Sequence, residues 1–307
     1  MSNPIWVAGE VLIDLIPQKN GERLAVVGGG PANTAKALAR LGMDSYFIDG
    51  MSTNEYGQQA KAEFDADGVK LDYVKFSDKP MCLATVTLDD SGSASYEFLI
   101  DGTATFDFQR EWLPNPVMGN PAVFHIGTLV PLIEPGASVL FEWAQEINQV
   151  APIVFDPNIR PSVVSDRARY ESIVRKWASL ANIVKLSEDD IAWLYPGRPQ
   201  EEVAAEWLSM GVDLVVITLG SEGLLGITRQ GSVTVPGVKI TVADTVGAGD
   251  TVGAILVEGV VKYGVAGMVG ETLKAVLTRA AARLHVIAAV PVLSLLTFMN
   301  WISNATY

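Results

Sequence analysis

The stretch Asp244-Thr-Val-Gly-Ala-Gly-Asp250 decides how this chain is read. Before it, residues 233–242 have strand-like apolar patterning; after it, residues 251–261 form an apolar run that reads as a buried helix. A glycine-rich turn feeding a helix start leaves backbone N–H groups without partners, in the positive potential of the helix dipole. Such an end takes an anion. Gly247 and Gly249 let the backbone come close to a phosphate with no side chain between them. Asp250 then sits at the mouth of an anion-binding turn, where a carboxylate is a poor choice for holding phosphate. It caps the helix, or it strips a proton from an attacking hydroxyl. The second role fits the position better.

Composition narrows the partners. A chain of 307 residues, 49% hydrophobic, buries a substantial core as one large domain, alone or with a small appendage. A net charge of −13 argues against nucleic acid. It leaves a phosphate substrate open, because local N–H groups and Mg²⁺ handle that charge. Cys82 is the single cysteine, which excludes an intrachain disulfide and a cysteine zinc site. His125 and His285 are the only histidines, which disfavours a histidine-rich metal site and a Ser-His-Asp hydrolase. His125 lies in the apolar run 123–127 and reads as a satisfied interior imidazole. Residues 1–10 lack the basic patch and apolar core of a signal peptide, so a cytoplasmic enzyme is expected.

Short apolar runs recur along the chain: Ile5-Trp-Val-Ala8, Tyr46-Phe-Ile-Asp49, Val123-Phe-His-Ile126, Ile153-Val-Phe-Asp156, Ile183-Val-Lys-Leu186 and Leu214-Val-Val-Ile-Thr218. Helix-like stretches lie between most of them, at 32–41, 138–150, 166–180 and 199–210. Strands alternating with helices and buried on both faces predict an α/β fold with a mostly parallel central sheet. In such sheets ligands bind beyond the carboxyl ends of the strands. Residues 12–27 and 81–105 break the alternation and read as hairpin strands, together a small β-sheet attached to the body. Such a flap covers a site or pairs with another subunit.

A second glycine cluster, Gly28-Gly-Gly-Pro-Ala-Asn33, precedes the Ala-rich stretch 32–41. Pro31 and Asn33 suit a helix start, so a plain cap is one reading. The other is that the glycines admit a small polyol, with Asn33 bonding a hydroxyl. Asp14, after the first strand in an apolar setting, needs donors that sugar hydroxyls would supply.

With these residues in place, the chain resembles the ribokinase-type (PfkB) carbohydrate kinases, the fructokinases most of all, over about residues 5–282. The resemblance rests on the two glycine motifs and on Asp156-Pro-Asn-Ile-Arg160, Lys185-Leu-Ser-Glu-Asp-Asp190 and Thr218-Leu-Gly-Ser-Glu-Gly223. It implies one ribokinase-like domain over residues 1–307, with the strands at 12–27 and 81–105 as a β-lid. It implies transfer of the γ-phosphoryl of ATP to a sugar hydroxyl, most simply D-fructose to fructose 6-phosphate. On the same resemblance Asp250 is the general base, and the amides of Gly247, Ala248 and Gly249 hold the transferring phosphoryl. Asp14, Gly28, Gly29 and Asn33 hold the sugar, and Arg160 faces sugar or phosphate, or pairs with a surface carboxylate. Lys185, Thr218, Gly220 and Gly223 lie near the nucleotide. Asp190 serves Mg²⁺, Asp244 and the Val246 carbonyl match half of a K⁺ site, and the lid suggests a homodimer.

The sequence departs from the family in three places. The Asn-x-x-Glu motif appears as Ser187-Glu-Asp-Asp190, with a shorter carboxylate. Thr251-Val252 replaces the usual small-aromatic pair after Asp250. Residues 284–307 carry no Asp, Glu, Lys or Arg, and stand where the family's adenine-walling loop and the rest of its cation site are expected. A change of reading frame near Arg283 would account for that tail. A buried or disturbed tail is expected in preference to a membrane anchor, since Pro291 interrupts the apolar run.

Other readings stay open. No Walker P-loop is present. A dinucleotide-binding dehydrogenase would place its glycines after the first strand instead of late in the chain. A kinase for 2-keto-3-deoxygluconate, ribose or a nucleoside uses the same body. A non-catalytic sugar-binding protein on this fold is the competitor from another class.

Overall fold

The computed structural model describes residues 3–18, 20–88, 94–237 and 247–288. In chain order the elements are β1 (Ile5–Ala8), β2 (Leu12–Pro17), β3 (Arg23–Gly28), α1 (Gly30–Arg40), β4 (Ser45–Ile48), β5 (Gly50–Ser52), α2 (Glu55–Asp67), β6 (Lys75–Ser77), β7 (Cys82–Leu88) and β8 (Ala94–Leu99). There follow α3 (Pro116–Gly119), β9 (Val123–Gly127), α4 (Gly136–Ile147), β10 (Ile153–Asp156), α5 (Arg167–Ala178), β11 (Ile183–Ser187), α6 (Glu188–Leu194), α7 (Gln200–Ser209), β12 (Leu214–Thr218), β13 (Gly223–Thr228), β14 (Gly231–Pro236), α8 (Ala248–Gly267) and α9 (Gly270–Ala288).

The central sheet has 8 strands in the order β14-β13-β12-β11-β10-β9-β1-β4. Each apolar run of the sequence supplies one of its parallel strands, from β4 through β12, and only β13 runs against them, pairing antiparallel with β12 and with β14. A strand buried on both faces cannot alternate polar and apolar residues, which is why these segments read as continuous apolar blocks. One face carries the cluster of Trp6, Trp143, Phe155 and Trp177, the other that of Val7, Val154, Val216 and Leu256. Helix α8 lies on the second face and packs against α1 and α9.

The segments 12–17, 23–28, 82–88 and 94–99 form a separate 4-stranded sheet, β3-β2-β7-β8. Its β2–β7 pair is parallel and its other pairs are antiparallel, so it is two hairpins joined side by side. Helix α2 has no counterpart in the sequence reading. Its signals were the cap Asn54, which accepts from the Gly57 N–H, and Gly68 in the left-handed region at its end. Among the described residues no helix is long and apolar enough to cross a membrane. Most of the charge-free tail, residues 289–307, lies outside them.

Candidate active site

The parallel strands deliver their carboxyl ends to one edge, and the polar residues of the sequence motifs gather there. Helix α8 begins at Ala248, with Gly247 as a left-handed N-cap (φ 77°) and no side-chain cap. The Thr251 N–H and hydroxyl both turn back to the Gly247 carbonyl, at 3.0 Å each. The amides of Gly247, Ala248 and Gly249 precede that first helical bond and have no helix carbonyl to meet. Asp250 is buried in this first turn. Its Oδ2 accepts from Asn33 Nδ2 at 2.9 Å, and its backbone carbonyl accepts from the Thr34 hydroxyl at 3.3 Å. Burial pushes the Asp250 carboxyl up to about 6, against the opposing pull of Asn33 and Lys185. A carboxylate poised there is a competent base near neutral pH.

The first glycine motif faces the same point. Pro31 sits in the first turn of α1, where a missing N–H costs nothing. A Cβ on Gly30 would lie 2.8 Å from Thr128 Oγ1 and 3.2 Å from Asp250 Oδ1. A Cβ on Gly28 would lie 2.2 Å from Asp14 Oδ2, so that carboxylate rests against bare backbone. Gly29 is held by its own surroundings, with φ 109° and the Glu10 carbonyl 2.3 Å from where a Cβ would stand. Burial raises the Asp14 carboxyl to about 6, and the Arg160 charge draws it back down. The Arg160 guanidinium is held by loop oxygens, the Asn158 carbonyl at 3.2 Å, Asn158 Oδ1 at 2.8 Å and the Ile159 carbonyl at 3.0 Å. It is therefore fixed by its own loop and makes no ion pair among the described residues.

The remaining expectations divide. Lys185, in the middle of β11, is buried and forms an ion pair at 2.8 Å with Asp156 at the end of β10. Thr218, at the end of β12, is in register with Ser187 at the same edge. Gly220 is exposed in the turn that follows. Gly223 is buried with φ 108°, and a Cβ there would stand 2.1 Å from the Val235 carbonyl, so the β13–β14 pairing itself demands glycine. Asp190 is buried with both oxygens in use: Oδ1 accepts from Ile159 N–H at 2.8 Å and Oδ2 from Ser187 N–H at 2.7 Å. With Ser187 it forms a capping box at the start of α6. Asp244 and Val246 lie outside the described residues. Among the described residues no three acidic, histidine or cysteine side chains converge as a metal cage.

His125 is interior, as expected, but its Nδ1 finds no partner among the described residues, contrary to the reading of a satisfied imidazole. Burial and then the Lys185 charge push its pKa down to about 3, so it is neutral. The sequence reading missed Glu10, whose Oε2 accepts from the Thr128 and Leu129 N–H groups at 3.1 and 2.9 Å. Like Asp14, Glu10 is an acid in an apolar setting.

A parallel α/β sheet with a buried acid and uncapped amides at one helix start has the architecture of a small-molecule kinase. The chain belongs to the pfkB family of carbohydrate kinases, whose family model matches residues 4–286. A fructokinase from Rhizobium leguminosarum bv. trifolii is 34% identical over 253 residues, 80% of this chain and 76% of that protein. The crystal structure of a fructokinase from Xylella fastidiosa with bound ATP superposes with a TM-score of 0.85 at 25% identity, covering 99% of this chain and 100% of that one. A double mutant of the Vibrio cholerae O395 fructokinase, in fructose-, ADP- and potassium-bound form, gives 0.81 at 25% identity, covering 97% and 99%.

Proposed function

We propose that this protein moves the γ-phosphoryl of ATP to a primary hydroxyl of a sugar, D-fructose giving fructose 6-phosphate, with Asp250 as general base. The observation that carries the reading is Asp250 itself: buried, raised to about 6, and set beside helix-start amides with no helix partner. The hydroxyl proton passes to the Asp250 carboxylate as the sugar oxygen bonds to phosphorus. The bond from phosphorus to the bridging oxygen breaks, and ADP leaves with that electron pair. Phosphoryl transfer asks mainly for positioning and charge stabilisation, which first-turn amides supply without reorganising. Asp14 and Asn33 orient the hydroxyls, Arg160 faces the reacting groups, and Lys185, Thr218 and Gly220 lie toward the nucleotide.

Magnesium, in this reading, enters as the complex it forms with the triphosphate, as Mg²⁺ commonly does. Asp190 does not fit as a direct ligand, since Ile159 and Ser187 occupy its oxygens; it shapes the loop that carries Arg160. The small sheet serves as a lid that excludes water from the phosphoryl group and pairs two copies of the chain. A coupled ADP-release assay over a panel of sugars at fixed Mg-ATP tests the assignment. Fastest turnover with fructose supports it, a different best sugar moves the substrate alone, and sugar binding without ADP release replaces the enzyme with a sugar-binding protein.

A further inference from the structure

Lys185 and Asp156 form a buried ion pair, 5% and 6% exposed, on the face of the sheet that α8 covers. The ammonium lies directly under the helix start, 2.7 Å from where a Cβ on Gly249 would stand. An ammonium carries three N–H donors, and Asp156 Oδ2 takes one of them at 2.8 Å. The cation is thus tethered on one side and open toward the glycine turn on the other. We propose that Asp156 is a positioning residue: it anchors the Lys185 ammonium beneath Gly249, so that cation and first-turn amides act together on the terminal phosphate.

The physical need for an anchor is plain. A buried lysine with no counter-ion tends to lose its proton, and a flexible four-carbon stem does not hold its head in one place. For Lys185 burial alone would lower the pKa, but Asp156, then Asp250 and Asp190, outweigh it and leave it raised. Among the described residues His125 also feels this charge, and it is neutral. Asp156 in turn is held where β10 ends: a Cβ on Gly127 of β9 would stand 2.3 Å from its carbonyl and 3.4 Å from its own Cβ. Asp156 Oδ1 is buried without a partner, so the carboxylate is committed to this cation alone among the described residues. Glycine at 249 is what keeps the ammonium accessible, since an alanine methyl would cover it.

This inference rests on the kinase reading, so its test has one readout in turnover and one in binding. Asp156→Asn, Lys185→Met and the double variant are compared for kcat and KM in ADP release, and by calorimetry for the preference for ATP over ADP. Asp156→Asn lowers kcat roughly 10- to 100-fold with sugar KM held within about twofold, and it cuts the ATP preference. The double variant is no worse than Lys185→Met, because both substitutions remove one device. Wild-type kcat and ATP preference in Asp156→Asn overturn the proposal, and so do losses that multiply in the double variant. Should Asp156→Asn fail to fold, Asp156→Glu decides, since it keeps the charge and displaces the ammonium by a methylene: reduced kcat and ATP preference support the anchor, and wild-type values overturn it. A wild-type protein that releases no ADP with any sugar sinks the kinase reading alone, and the ATP preference then decides the anchor. A wild type with no preference for ATP overturns the anchor and leaves the kinase reading to the turnover assay.

Discussion

Asn33 and Asp250 stand 217 residues apart in the chain and are joined by a 2.9 Å hydrogen bond from Asn33 Nδ2 to Asp250 Oδ2. The bond ties the first turn of α1 to the first turn of α8, so two glycine-rich helix starts face each other across one site. Asn33 donates to the charged form of Asp250 and lowers its pKa against the effect of burial. Asn33→Ala removes that donor. The acid limb of its pH–rate profile is expected to move upward, with sugar KM raised about tenfold. A profile that keeps its wild-type limb would separate Asn33 from the base.

Asp250→Asn is expected to lower kcat by about 10²–10⁴-fold while sugar binding by calorimetry stays near wild type. The same variant has a stability signature. A carboxyl raised from 3.8 to about 6 favours the folded state most below its ordinary pKa, and that contribution is lost as pH rises through 6. Asparagine removes the buried charge, so urea denaturation at about pH 7.5 should show a gain on the order of 1–3 kcal/mol that vanishes below about pH 4.

With Asp250 as the proposed base, activity needs its ionised form, so kcat/KM of the wild-type protein should fall tenfold per pH unit on the acid side of about 6. Asp14, also raised to about 6, steepens that limb if it too must be charged to hold the sugar. A flat profile from pH 5 to 8 would argue against Asp250 as the base.

Gly30→Ala tests the closeness of the motif to the acid. Alanine suits the helix, but its methyl would reach 3.2 Å from Asp250 Oδ1 and 2.8 Å from Thr128 Oγ1. Sugar KM is expected to rise about tenfold or more with the melting temperature retained. Unchanged sugar kinetics would show that the sugar does not use this approach.

Glu10→Ala removes the acceptor of the buried Thr128 and Leu129 amides. A loss of about 1–3 kcal/mol in urea denaturation is expected. For the lid, Leu99 is 55% exposed on edge strand β8. If copies pair there, Leu99→Asp should turn a dimer into a monomer in analytical ultracentrifugation.

The sequence by itself determined the strands of the parallel sheet. Val123–Gly127 and Leu214–Thr218 are almost wholly apolar, His125 and Thr218 apart, because both faces are covered, and that burden is visible residue by residue. It also marked Asp250, Asn33 and Asp14, since glycines and acids in apolar surroundings are local signals. It could not reveal that Glu10 bridges Thr128 and Leu129, that Asp190 clamps Ile159, or that Lys185 lies under Gly249. Those relationships join segments distant in the chain, and only the crossing of parallel strands brings their ends to one edge. Burial decided the rest: the elevated pKa of Asp250 and the neutrality of His125 depend on how much water the packed helices exclude, which tertiary packing alone fixes.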